Sequence, residues 1–355
     1  MKKYYICRDF DDNCGISKYG SSFYNSILLY RGYIYLPLSK DDNIDYLLKE
    51  IQNDDLVWFE IGLASSLELS FFKKLVKKGN TNLVVTIHDS PFLEYPILRS
   101  KYYFINIFYK LIQIVFLRKP FDHFFYKYLK FTKYIFTLNP KGKRLLEKRF
   151  GLKNIYSIKH ILTDIGIPEE KNYSKPQILY FGFIGKNKGL EYALELHEKI
   201  NLHDDNIFSM KVIGIGIDQK SNNYLDTLKK KYINNVEYLG YVNDEELDQL
   251  MKEDNVVFLP TKDYRFICPT SGSVLNSMKK LNIIFTNDVN SNSYIIKDSE
   301  NGFFLTGNIQ KDVLKVKELL SSEEKRRRIA KNIHADLTQN YSKNAIDLEI
   351  SKYEI

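Results

Sequence analysis

The chain has 355 residues, 44% hydrophobic and 27% charged, which excludes a disordered chain and a single small core and points to two domains of roughly 150 to 180 residues each. The three cysteines, Cys7, Cys14 and Cys268, are widely spaced and odd in number; this argues against a disulfide framework or a zinc cluster and fits a reducing compartment. A formal charge of +8 leaves nucleic acid, anionic lipid and phosphorylated ligands open until its location is known.

From the N-terminus, "MKKYYICRDFDDN" carries two lysines but no apolar stretch of signal-peptide length, so a cytoplasmic protein is expected. Short β-branched and aromatic runs then alternate with helical patterns along the whole chain, the signature of parallel sheets covered by helices. In the first half the strand candidates are "KYYICR", "YIYLPL", "LVWFEI", "LVVTIHD", "KYIFTLN" and "IYSIKHI". In the second they are "QILYFGFI", "MKVIGIG", "VEYLGYV", "NVVFLP", "NIIFTND" and "GFFL". Two doubly wound α/β domains with a cleft between them follow. We expect residues 1–165 as the first domain, 166–175 as a polar, proline-bearing linker, and 176–338 as the second. Residues 339–355 are expected to form a terminal helix that packs back on the first domain. In such sheets ligands bind where strand ends run into loops and helix N-termini, so the motifs of interest should follow strands.

In the first half, the loop "DNCGISKYG" offers Gly15 for close backbone approach, against the alternative of an ordinary turn. The strand "LVVTIHDSP" ends in His88 and Asp89. An imidazole with a pKa near working pH suits a general base or a polar contact, although a strand-end pair can also merely hold a turn. Glu60, after "LVWF", is a poorer candidate of the same kind. Between Arg99 and Lys133 lie eight basic residues against one acid, and 102–131 contains twelve Phe and Tyr. The apolar part, broken by Lys110, is shorter than the ~20 residues of a spanning helix. An interfacial amphipathic segment over 99–131, facing anionic lipid, fits better; a buried core helix is the alternative. No nucleic-acid module frames the patch, so nucleic acid is not an expected partner.

In the second half, "GFIGKNKG" places Lys186 and Lys188 on a glycine-bearing loop, where they can reach a phosphate or remain solvated. The following helix has Leu190, Ala193, Leu194 and Ile200 on one face. "MKVIGIG" gives a turn at Gly214, a weak signal by itself. After "NVVFLP" comes "CPTSGSVLN", leading into a helix with Val274, Leu275, Met278 and Leu281 on its buried face. Ser271, Gly272 and Ser273 then sit on the first turn, where free N–H groups and the dipole favour an anion. The alternative is a plain N-cap by Thr270 or Ser271.

Taken in order, "GFIGKNKGLEYAL", "MKVIGIG", "VEYLGYVNDEELDQLMKEDNVVFLPT", "SGSVLNSMKKLNIIFTNDV" and "YIIKDSENGFFL" resemble the nucleotide-sugar domain of GT-B glycosyltransferases, particularly the large family 4 group. The first half is similar more loosely, through "DNCGISKYGSSFYNSILLYRGY", "VVTIHDSP" and "KYIFTLNPKGKRLLEKRFG". The resemblance implies a GT-B fold of two Rossmann-like domains. It implies Ser271 and Gly272 as main-chain ligands of a donor diphosphate, with Thr270 and Ser273 beside them. Lys188 matches the family's basic residue before glycine, and Lys186 or Arg265 would replace its absent loop arginine. Tyr241 and Val242 would lie at the base, with Gly214, and Asn276 at the ribose. The family's two donor-site glutamates fall on Cys268 and Asn276, so both are missing. His88 and Asp89 are the implied catalytic pair, and Gly15 and Ser17 the implied acceptor-side loop. Retention or inversion stays open.

The expected activity is sugar transfer from a nucleotide-sugar, UDP-linked by preference, to a lipid-linked glycan at the inner face of the cytoplasmic membrane. No metal or other cofactor is expected, since no acidic metal-binding cluster stands out. A non-catalytic GT-B protein that binds a partner enzyme or glycan is the rival reading.

Overall fold

In a computed structural model of the chain, residues 1–10, 14–38, 44–62, 65–90, 126–202, 207–216, 218–264 and 267–355 are described. The chain divides into two compact units, one of Met1–Ile161, Phe266–Thr270 and Lys343–Ile355, the other of Leu162–Arg265 and Ser271–Ser342.

The first unit alternates β1 (Lys3–Arg8), α1 (Gly15–Phe23), β2 (Tyr33–Leu38), α2 (Ile44–Glu50), β3 (Leu56–Ile61), α3 (Ser66–Lys78), β4 (Leu83–Ile87), β5 (Tyr134–Thr137), α4 (Pro140–Phe150) and β6 (Ile155–Ser157). Its six strands are all parallel, in the order β2-β1-β3-β4-β5-β6. The central strands β3 and β4 are buried throughout, as expected of strands covered on both faces, and they read as apolar runs. On one face Tyr5, Trp58, Val84 and Phe136 pack with Tyr19, Phe23 and Ile27 of the first helix and with Ile346 and Ile350 from the chain's end.

The second unit runs β7 (Gln177–Phe181), α5 (Leu190–Asn201), β8 (Met210–Ile213), α6 (Gln219–Lys231), β9 (Val236–Gly240), α7 (Asp244–Lys252), β10 (Asn255–Leu259), α8 (Gly272–Lys279), β11 (Ile283–Thr286), β12 (Phe303–Phe304), α9 (Ile309–Leu320) and α10 (Glu323–Tyr341). Its parallel sheet has the order β12-β11-β10-β7-β8-β9. The apolar spacing of α5 does what its sequence requires: Leu190, Ala193, Leu194 and Ile200 are all buried. Helix α11 (Lys343–Ile350) belongs to the first unit.

The twelve strand candidates coincide with β1 to β12. The expected linker at 166–175 differs: those residues are part of the second unit. Lys171 is buried, its Nζ donating to Lys280 O at 2.9 Å and Asn282 Oδ1 at 2.5 Å. Arg326, paired with Asp254 at 2.7 Å, donates to Tyr173 O at 2.6 Å. A buried cation must be matched by acceptors, and these anchor a stretch whose composition alone suggests a tether. Most of 99–131 lies outside the described residues; at its end Tyr128 and Leu129 are core while Tyr126 and Phe131 are exposed. No helix among the described residues is long and apolar enough to cross a membrane.

Candidate active site

In each parallel sheet the strand order reverses at one point, and the loops leaving that point at the carboxyl ends are where such folds bind ligands. In the second unit the switch lies between β7 and β10, so the relevant loops are 182–189 and the stretch 260–264 that leaves β10. They fit each other at backbone level. Gly189, at φ +76, would bring a Cβ to 2.0 Å from Pro260 O. Lys262 N donates to Asn187 O at 2.9 Å. Gly182, at φ +128, faces Ser273, whose Oγ would stand 3.1 Å from an added Cβ. The β8 loop joins through Gly214, whose N–H donates to Gly240 O at 2.7 Å.

Helix α8 starts beside this junction. Ser271 is its N-cap, with Oγ accepting from Val274 N at 3.4 Å, which satisfies one of the first-turn donors. The N–H groups of Gly272 and Ser273 have no protein partner among the described residues. Gly272 is exposed, and a Cβ added to it would meet nothing within 4 Å. The helix start is therefore open, polar and at the positive end of the dipole. Half-buried Lys188 lies with Nζ 5.5 Å from the Tyr264 ring centre, and exposed Lys186 with Nζ 5.9 Å from that of Tyr224. Both ammonium groups are thus steered by aromatic faces.

The other expected positions are scattered in character. Tyr241 and Asn276 are exposed. Val242 is turned into the core, so only its main chain can face a ligand. Leu281, expected on the α8 face, lies beyond the helix at φ +60 yet is buried. Arg265 lies outside the described residues.

Thr270 and Cys268 belong to the first unit. Cys268 N donates to Ser90 O at 2.8 Å, and Asn139 Nδ2 donates to Cys268 O at 3.0 Å and to Thr270 Oγ1 at 3.2 Å. Thr270 Oγ1 in turn donates to Leu138 O at 3.1 Å. The Thr270 hydroxyl is therefore committed to protein, which removes its proton from a phosphate role. Cys268, fully buried with its Sγ 3.4 Å from Asn139 Oδ1, brings no carboxylate to the position where the family resemblance expects a glutamate.

In the first unit the switch lies between β1 and β3, with the end of β4 alongside. His88 follows β4, and its Nε2 lies 2.7 Å from Glu60 Oε2. Burial pushes the Glu60 carboxyl above its usual range, while hydrogen bonds from His88 and Thr86 pull it back. Asp89 instead lies near Gly62, where an added Cβ would stand 3.1 Å from its Oδ2 and 2.3 Å from Ile16 Cδ1. Gly15 opens α1 with nothing within 4 Å of an added Cβ. Ser17 is buried, its Oγ 3.2 Å from Cys14 Sγ. The Tyr19 ring meets His88 edge-on at 5.1 Å and His160 at 4.6 Å. By sequence alone Glu60 is a poorer candidate than Asp89. The available signal was a lone charge in an otherwise apolar, fully buried strand, which requires a partner.

Residues 165–336 match the family model described as glycosyl transferases group 1. Among proteins of curated function, none matches the chain in sequence. Three solved structures share its architecture over nearly full length. Sucrose-phosphate synthase from Thermosynechococcus elongatus is 12% identical, with a TM-score of 0.72, covering 99% of this chain and 97% of its own. HepE of Anabaena, solved with UDP-glucose, is 12% identical with a TM-score of 0.68, covering 99% and 98%. A glycosyltransferase from Rickettsia africae is 13% identical with a TM-score of 0.68, covering 99% and 97%. The chain thus has the GT-B fold, and its residues 165–336 are similar to the glycosyl transferases group 1 family.

Proposed function

We propose that the protein transfers a sugar from a UDP-sugar to a lipid-linked or membrane-associated glycan, as a step of bacterial lipopolysaccharide or capsule assembly at the inner face of the cytoplasmic membrane. The observation that carries the donor half is the open start of α8, where the N–H groups of Gly272 and Ser273 have no protein partner among the described residues. Transfer breaks the bond between the anomeric carbon and the diphosphate, and negative charge grows on the leaving nucleoside diphosphate. Preorganised N–H groups and ammonium ions at that point lower the barrier without reorganising. Lys186 and Lys188 supply the cations, and Ser271, Gly272 and Ser273 the cradle. Tyr241, Gly214 and Asn276 would line the nucleoside, and Gly15 the acceptor side. HepE, solved with UDP and with UDP-glucose, supports the preference for UDP. The acceptor half rests on the basic aromatic stretch 99–131, whose cations and rings suit an anionic lipid surface.

The absence of glutamate at Cys268 and Asn276 favours a second reading, a non-catalytic GT-B protein that binds a partner. Release of UDP from a panel of UDP-sugars, with membrane lipid extract as acceptor, separates the two. Turnover that Lys188→Ala and Gly272→Ala each reduce at least ~10-fold supports transfer. Absence of turnover across the panel, with partner binding untouched by these substitutions, supports the second.

A further inference from the structure

One face of the first sheet carries a run of hydrogen bonds whose direction can be assigned. Parallel pairing sets Trp58 against Val84 and Glu60 against Thr86. Side chains alternate with a period of two, so Trp58, Glu60, Thr86 and His88 share one face. His88 N donates to Ile61 O at 2.9 Å, extending the strand pairing by a residue and holding the imidazole next to Glu60.

Trp58 Nε1 lies 2.8 Å from Thr86 Oγ1. An indole N–H can only donate, so the threonine oxygen accepts there, and its single proton is left for its other neighbour. That neighbour is Glu60 Oε1, at 3.1 Å. The second oxygen, Oε2, is 2.7 Å from His88 Nε2. Trp58, Thr86 and Glu60 are all 0% exposed, so water does not compete for these bonds. With Glu60 ionised, the state that donors at both of its oxygens favour against the effect of burial, the carboxylate accepts and does not donate, which assigns the proton between Glu60 and His88 to the imidazole. His88 Nδ1 has no hydrogen-bond partner among the described residues, and the ring is braced by the Tyr19 edge.

We infer that the Trp58–Thr86–Glu60 chain fixes the His88 proton on Nε2, so that the Nδ1 lone pair accepts a hydrogen bond from a hydroxyl of the bound sugar substrate. Glu60 is thus a positioning residue that acts through His88, and its importance for turnover rests on the glycosyltransferase reading. Asp89, the chain neighbour of His88, has no part in it. The assignment also predicts how Glu60→Gln behaves. Thr86 still donates to the side-chain oxygen, which turns the new NH₂ group toward His88 Nε2. That NH₂ can only donate, so the imidazole proton must move to Nδ1, and the acceptor offered to the sugar becomes a donor.

The test uses the full chain labelled with [¹⁵N]histidine at pH 8, with the His88 resonances among the six histidines identified by their loss in His88→Gln. The expected spectrum shows His88 protonated at Nε2 and bare at Nδ1 in the native protein, and the reverse in Glu60→Gln. A native His88 protonated at Nδ1, or at both nitrogens, overturns the inference and requires no Glu60 variant to fold. An unchanged tautomer in a folded Glu60→Gln also overturns it. With UDP-glucose as probe, UDP release by Glu60→Gln should fall roughly 10²- to 10⁴-fold in kcat, the scale of a misplaced imidazole proton, while the thermal shift given by UDP is unchanged. A switched tautomer with full turnover removes the positioning role. A native protein that UDP does not stabilise counts against the donor site and leaves the tautomer result standing.

Discussion

A Cβ on Gly214 would stand 1.9 Å from the carbonyl oxygen of Gly182. The loops after β7 and β8 are thus in backbone contact, and Gly214 sits at φ +140, a conformation that side chains strongly disfavour. Gly214→Ala should therefore cost more than ~3 kcal/mol, combining a backbone clash with backbone strain. Urea denaturation measures it; a loss under ~1 kcal/mol would mean the loop can move aside.

Gly272→Ala should behave in the opposite way. Its φ is not positive and its surroundings are open, so the alanine should leave stability unchanged or raise it by ~0.4–1 kcal/mol. The same methyl group would occupy space intended for a diphosphate, so UDP affinity should fall at least ~10-fold, about 1.4 kcal/mol. Gly15→Ala gives the parallel case on the acceptor side: unchanged stability with reduced transfer. Calorimetric titration beside a melting curve checks both, and a loss of stability that tracks the loss of binding would refute the argument.

Asn139 is 4% exposed and satisfies four partners at once. Its Oδ1 caps α4 by accepting from Gly142 N at 2.7 Å and lies 3.4 Å from Cys268 Sγ, while Nδ2 donates to Cys268 O and Thr270 Oγ1. Asn139→Ala strands buried polar groups and removes a helix cap, and should cost about 2–3 kcal/mol. Chemical denaturation of the variant would show it.

His160 gives a pH signature. Burial lowers its pKa from 6.5 to about 4, so between those values the unfolded chain binds a proton that the folded one does not. Stability from this group is complete above pH ~6.5 and is lost as pH falls toward ~4, by up to ~3 kcal/mol. Buried Glu60, whose pKa is raised, opposes this trend, so the comparison is between native protein and His160→Gln. The variant should show the shallower decline with acid; equal slopes would sink the assignment.

The sheets were legible because their strands are continuous apolar runs bounded by polar loops, a pattern that survives without knowledge of partners. The open start of α8 was legible for a similar local reason, since "SGS" before an apolar helical face is a short-range signal. What could not be read depends on distant pairing. The contacts of Glu60 come from Thr86 and His88 on and just beyond the neighbouring strand, more than twenty residues away in sequence. Cys268 and Thr270 join the first unit through Ser90, Leu138 and Asn139, more than a hundred residues away. The stretch 166–175 is polar like a tether, yet Lys171 and Tyr173 are anchored by Asn282 and Arg326.

The most direct measurement of the central claim is the thermal shift of the purified chain with UDP, set beside GDP, TDP and CMP and repeated in Lys188→Ala and Gly272→Ala. A donor site at the start of α8 predicts that UDP at a hundred times its Kd stabilises the native protein by ~2.7 kcal/mol, and that either substitution removes most of this gain at the same concentration. No stabilisation by any of these nucleotides, or a stabilisation that both variants retain in full, would contradict it.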